Sequence, residues 1–144
     1  MYLCLMRAIL FFLSMFPLLC LSQSEVRLEY WNNGNVLSQV HYVDGLRDGS
    51  SRSYHKNGFL MDEVFYLKGK MTGISMSYYD NGQIRQQGKY GDRNNGVYSQ
   101  KVGKWISYNK QGQVISESTF ILGVENRNYF NSDGSIQSKL LNGC

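Results

Sequence analysis

The sequence predicts an all-β fold, an elongated antiparallel β-meander of tandem hairpins with about 24 residues per repeat. Three observations carry that prediction. Six tyrosines, Tyr30, Tyr42, Tyr54, Tyr66, Tyr78 and Tyr90, fall on a strict 12-residue beat, and self-similarity at a fixed period marks a repeat architecture. Asn33-Gly34, Asn57-Gly58 and Asn81-Gly82 recur every 24 residues, and Asn-Gly between alternating segments is the strongest local hairpin signal. Between these turns the apolar residues alternate with period 2, as strands require and helices do not.

Each repeat reads in two halves. In the first, an aliphatic stands two residues after the turn glycine (Val36, Leu60, Ile84, Val114, Ile136) and a ring eight residues after it (Tyr42, Tyr66, Tyr90, Phe120). A polar residue at the odd offset five (Gln39, Glu63, Gln87, Glu117, Lys139) points to the other face. The second half opens on Gly49, Gly73 or Gly103, each five residues before Tyr54, Tyr78 or Tyr108. Here one face is expected to be ring and aliphatic, and the other a solvated strip of serines such as Ser51, Ser53, Ser75 and Ser77. The Asn-Gly pairs suit type I′ turns, with φ > 0 at both central residues. The stretches 44–49 and 68–73 read as glycine linkers between the halves.

The pattern continues with wear at Gln111-Gly112 and Asp133-Gly134, at spacings of 30 and 22 residues. One unit therefore carries an insertion and the last a deletion. Nine or ten strands at about 4.8 Å spacing predict a sheet roughly 45 Å long. The repeat-structural residues are Tyr30, Gly34, Tyr42, Tyr54, Gly58, Tyr66, Tyr78, Gly82, Tyr90, Tyr108, Gly112 and Phe120. Their cross-strand pairs would each add about 0.2–1 kcal/mol, and an array is needed because a single hairpin is marginal alone.

The N-terminus reads as an address. Arg7 precedes the apolar run Ala8–Leu19, followed by Cys20-Leu21-Ser22-Gln23, the layout of a secretory signal. Residues 1–22 are expected to be removed, leaving 23–144 as one repeat domain of about five units in the periplasm, on the outer surface or secreted. Lipid attachment at Cys20 is disfavoured, because Leu19 stands where a small residue belongs. Cys4 and Cys20 would leave with the signal, so Cys144 remains without an intrachain partner.

Without Arg7, 14 basic residues face 11 acidic ones. The signs are mixed along the chain, which argues against nucleic acid as a partner. Catalytic signals are thin. His41 and His55 lie 14 apart, with no cysteine or second histidine at ligand spacing, so neither a metal nor any other cofactor is expected. Two departures from the repeat are the candidate partner-binding sites. One is the insertion around Arg93, Asn94 and Tyr98, because loops that interrupt a scaffold carry function. The other is Trp105, where the other units have Ser51 and Ser75; it reads as a cap on the insertion or as an anchor for a partner, because Trp is enriched at binding hot spots.

The frame Gly73-x4-Tyr78-Tyr79-x-Asn81-Gly82-x-Ile84-x5-Tyr90 resembles the MORN-repeat variant of bacteria. Gly49…Tyr54…Asn57-Gly58…Tyr66 and Gly103…Trp105…Tyr108…Gly112…Phe120 follow it, and the likeness runs from Tyr30 to about Leu141. The resemblance implies an antiparallel hairpin array and extends to YwqK-type antitoxins of toxin–antitoxin systems. The departures are the insertion between Tyr90 and Gly103, Arg127 where a linker glycine is expected, and a truncated last unit. The function expected is a non-enzymatic exported scaffold for an unidentified protein partner, antitoxin- or immunity-like. The alternative is an array that binds cell-wall glycan or a membrane surface. The edge strands near Tyr30 and Ile136 are also expected to support self-association.

Overall fold

In the computed structural model the described residues are 22–92, 99–121 and 124–141. They form one ten-stranded sheet whose spatial order is its chain order. The strands are β1 (Ser24–Tyr30), β2 (Val36–Val43), β3 (Leu46–Tyr54), β4 (Leu60–Leu67), β5 (Lys70–Tyr78), β6 (Ile84–Asp92), β7 (Ser99–Tyr108), β8 (Val114–Ile121), β9 (Val124–Phe130) and β10 (Ile136–Leu141). Every pairing is antiparallel between consecutive strands. The expected meander is therefore the observed fold. The linkers read over 44–49 and 68–73 are mostly strand, interrupted only by two-residue turns.

The two turn classes differ from the expectation. At each Asn-Gly turn only the glycine has positive φ, as at Gly34 (86°), Gly58 (89°) and Gly82 (82°). The Gly34 N–H donates to the Trp31 carbonyl and the Trp31 N–H to the Asn35 carbonyl, and the pattern repeats at Gly58, Gly82, Gly112 and Gly134. A type I turn closed by a left-handed glycine, with a bulge in the adjoining strand, has this geometry. The positive-φ pairs that a type I′ turn requires lie instead at Asp44-Gly45 (50° and 77°) and Lys68-Gly69 (48° and 79°).

Asparagine precedes the glycine for a different reason. Its Oδ1 accepts from the backbone two residues on, as from Phe59 N to Asn57 at 3.2 Å. Its Nδ2 donates to the next repeat: Asn33 to Lys56 O at 2.8 Å and Asn57 to Asp80 O at 2.7 Å. Only an amide supplies both an acceptor and a donor.

A second bulge sits at Gly49, Gly73 and Gly103, where the register shifts between Val40 and Tyr42, Glu63 and Phe65, and Gln87 and Lys89. Each shift places two extra residues on the glycine-bearing strand. β8 and β9 pair without any shift, and Arg127 stands opposite Ser118. The two-residue deletion in the last unit is this missing bulge. The six-residue insertion falls in the β6–β7 hairpin instead, where the described pairing ends at Asp92–Ser99.

Cross-strand pairing assigns the faces. On the face called front here, a polar row runs from Glu29 through Ser38, Ser53, Asp62, Ser77 and Gln86 to Tyr129. Tyr42, Tyr66, Tyr90 and Phe120 share this face by alternation along their strands. Tyr78 and Tyr108 belong to the back, where Tyr78 meets Met76 and Tyr108 meets Gln87. The tyrosine beat therefore alternates between faces.

The serine strip is not the solvated face expected of it. Ser77, Ser116 and Ser118 are buried, because they are short side chains among taller rings and guanidiniums. The front is the more covered face, and the only buried apolar residues among those described, Val40 and Trp105, are on it. The back keeps Val26, Leu28, Leu46, Phe65, Leu67, Ile74, Ile121, Val124 and Leu141 exposed.

Candidate functional site

The front side of β6–β9 holds the largest departure from the repeat. Neighbouring units pair Val40 with Ser51, and Val64 with Ser51. The equivalent positions on β6 and β7 are Gly88 and Trp105. A β-carbon at Gly88 would lie 2.1 Å from Trp105 Cδ2 and 2.3 Å from Cε2. The glycine thus vacates the space that the indole fills.

Trp105 is only 4% exposed. Its Nε1 donates to the Lys89 carbonyl at 3.2 Å. Tyr90 and Phe120 approach it edge-on at centroid distances of 5.1 and 6.4 Å, the arrangement that aromatic quadrupoles favour. Trp105, a candidate cap for the insertion or anchor for a partner, lies at the centre of the chain's own small core. Arg93, Asn94 and Tyr98 lie outside the described residues, which reach the insertion only at its two ends, Asp92 and Ser99.

Cations cover the rings. Lys101 Nζ lies 4.1 Å from the Trp105 ring centroid and 5.7 Å from that of Phe120. Burial pushes its ammonium below the ordinary lysine range, against the opposing charge of Glu125. Arg127 donates to Tyr129 Oη at 3.1 Å and from Nε to Glu125 at 2.8 Å. The Tyr129 hydroxyl and then the Glu125 carboxylate hold its guanidinium above the usual value. Burial pushes Glu125 up, but the hydrogen bonds from Ser118 and Arg127 outweigh it and leave the carboxyl below its usual range. At the other end of the sheet Arg27 covers Tyr42 at 4.3 Å, and Arg47 donates to Tyr66 Oη at 3.1 Å.

A ladder at the Asn-Gly edge escaped the sequence reading. Three residues before each turn glycine stand Trp31, His55 and Tyr79, and each reaches a carbonyl of the next repeat. Trp31 Nε1 donates to Tyr54 O at 3.0 Å, His55 Nε2 lies 3.1 Å from Tyr78 O, and Tyr79 Oη donates to Tyr108 O at 2.7 Å. The signal was present as a hydrogen-bonding ring at a fixed offset, hidden because Trp, His and Tyr look unrelated. His55 is thereby given a structural partner. Among the described residues no group of three or more His, Cys, Asp or Glu side chains is placed to hold a metal ion.

The class defined by this geometry is a hairpin-repeat protein with a packed front and an open back. Within it, residues 26–44, 71–92 and 101–121 match the family model of the MORN repeat variant. The three stretches correspond to the hairpins β1–β2, β5–β6 and β7–β8. No curated protein matches the chain. Among solved structures, one described as the crystal structure of a GtfA/B complex bound to UDP and GlcNAc is similar over 89% of this chain, at 11% identity and a TM-score of 0.30. The aligned region is 25% of that chain, and a likeness this distant transfers nothing about its ligands.

Proposed function

We propose that the chain is a non-enzymatic repeat scaffold that binds a protein partner through its back face. The observation that carries this reading is the contrast between faces. The front spends its rings and cations on internal contacts, whereas the back leaves Leu46, Phe65, Leu67 and Ile74 open to solvent, Ile74 being 61% exposed. Exposed apolar side chains gathered on one face of a sheet in this way mark interaction sites. The finer reading is an exported, antitoxin- or immunity-like protein. The signal-like segment ahead of Ser22 and the likeness to the MORN repeat variant support it. The glycan alternative draws less support, because Tyr42, Tyr66 and Trp105, which would have to stack on sugars, already carry Arg27, Arg47 and Lys101.

The test is affinity capture from the envelope fraction of the producing cell, with the wild-type chain beside Phe65→Lys and Ile74→Lys. A single stoichiometric protein retained by wild type and lost by both variants supports the reading. Retention on glycan alone, or capture indifferent to both substitutions, overturns it.

A further inference from the structure

Among the described residues the sheet is open at both ends. β1 and β10 are exposed along their whole lengths. Native edges are usually guarded by lysines, prolines or bulges that discourage pairing. Here β10 carries Lys139 as its one charged residue and a bulge between Ile136 and Ser138, while the charges of β1, Glu25, Arg27 and Glu29, alternate onto the front and leave its back apolar. Exposed apolar side chains gather at both edges: Val26, Leu28 and Tyr30 on β1, and Ile136, Leu140 and Leu141 on β10.

The strand count matters. With ten strands in a strict meander, β10 runs antiparallel to β1, so a second copy placed end to end continues the antiparallel alternation. Extending the rows of the sheet across that junction sets the register. Ser138, paired with Tyr129 at the end of the polar row, comes opposite Glu29 of the next copy. Serine–carboxylate pairs already occur in this row, as Ser38 to Glu29 at 3.0 Å and Ser53 to Asp62 at 3.2 Å. On the back, Lys139 comes opposite Leu28, and two residues further Leu141, which is 74% exposed, comes opposite Val26, which is 48% exposed. Cross-strand apolar pairs of this kind stabilise sheets.

We infer that the protein assembles head to tail with copies of itself, β10 of one pairing with β1 of the next in this register. The contact is heterologous, so each added copy leaves one β1 and one β10 edge available and the series grows beyond a dimer, as a ring or an open filament according to the rotation between copies. Each copy adds ten strands, about 48 Å. A two-fold β1–β1 dimer would leave β10 and its exposed leucines uncovered.

The experiment is sedimentation velocity on the purified protein over rising concentration. Reductant is kept present so that Cys144 cannot bridge copies. Val26→Lys and Leu141→Lys are run alone and mixed. Wild type is expected to show a concentration-dependent series beyond the dimer. Each variant alone should be monomeric at concentrations where wild type assembles, with association weakened at least tenfold. An equimolar mixture retains one intact junction, β10 of the Val26→Lys chain on β1 of the Leu141→Lys chain, and should stop at a dimer. Circular dichroism and melting curves matching wild type show that both variants fold. A strictly monomeric wild type overturns the inference. So does a variant that still dimerises alone, which would indicate two-fold pairing of one edge, or a mixture that stays monomeric.

Discussion

The indole of Trp105 lies across Gly88, within 2.1 Å of where a β-carbon would stand. Two positions that are valine and serine in earlier repeats have exchanged bulk in concert. Gly88→Val should therefore destabilise the protein by about 1–3 kcal/mol through overpacking, and Trp105→Ser by about 3–5 kcal/mol through the cavity it leaves. The double variant Gly88→Val/Trp105→Ser restores the neighbours' pairing and should recover much of the loss. Urea unfolding of the four proteins checks this, and strictly additive losses would contradict the coupling.

Asn57 bonds its own turn with Oδ1 and the next turn with Nδ2. Asn57→Asp keeps the acceptor, loses the donor and faces the Asp80 carbonyl with a negative charge. Its cost should be about 1–2 kcal/mol, and amide exchange should quicken at the turns on both sides. Exchange confined to the β3–β4 turn would show that the inter-repeat bond adds nothing.

Acid should weaken the fold through carboxylates that are held below their usual range. Glu125, Asp80 and Asp133 all have lowered values: Glu125 despite its burial, through Ser118 and Arg127; Asp80 through Lys110; and Asp133 through Ser135. A carboxyl group with a depressed folded value contributes stability that is complete above its unfolded value, about 4, and lost as pH falls through the folded one. Glu125→Gln should flatten part of the decline in melting temperature below pH 4. An unchanged slope would remove Glu125 from the account.

Much of the fold was legible because the repeat is written several times. The 24-residue turn spacing and the period-2 alternation located the strands, and the 30- and 22-residue spacings marked where the units differ. The 22-residue spacing could not be recognised as a lost bulge, since a bulge is a property of two strands and Arg127 shows its effect only against Ser118. The faces were misjudged for a similar reason. Alternation says which residues share a side, but burial depends on neighbours across the sheet, and Ser118 is 4% exposed beside Arg127. Trp105 stood out correctly as an anomaly. Its partner Gly88 did not, because a glycine in a glycine-rich repeat attracts no notice until the missing valine is counted.

The central claim is that the front is closed and the back engages a partner, and photo-crosslinking in the producing cells tests it most directly. A photoreactive residue placed at Ile74 should give one dominant adduct to another protein. The same residue at Ser51 on the front should not, and Phe65→Lys should abolish the Ile74 adduct. No adduct from Ile74, or equal adducts from both faces, would contradict the account.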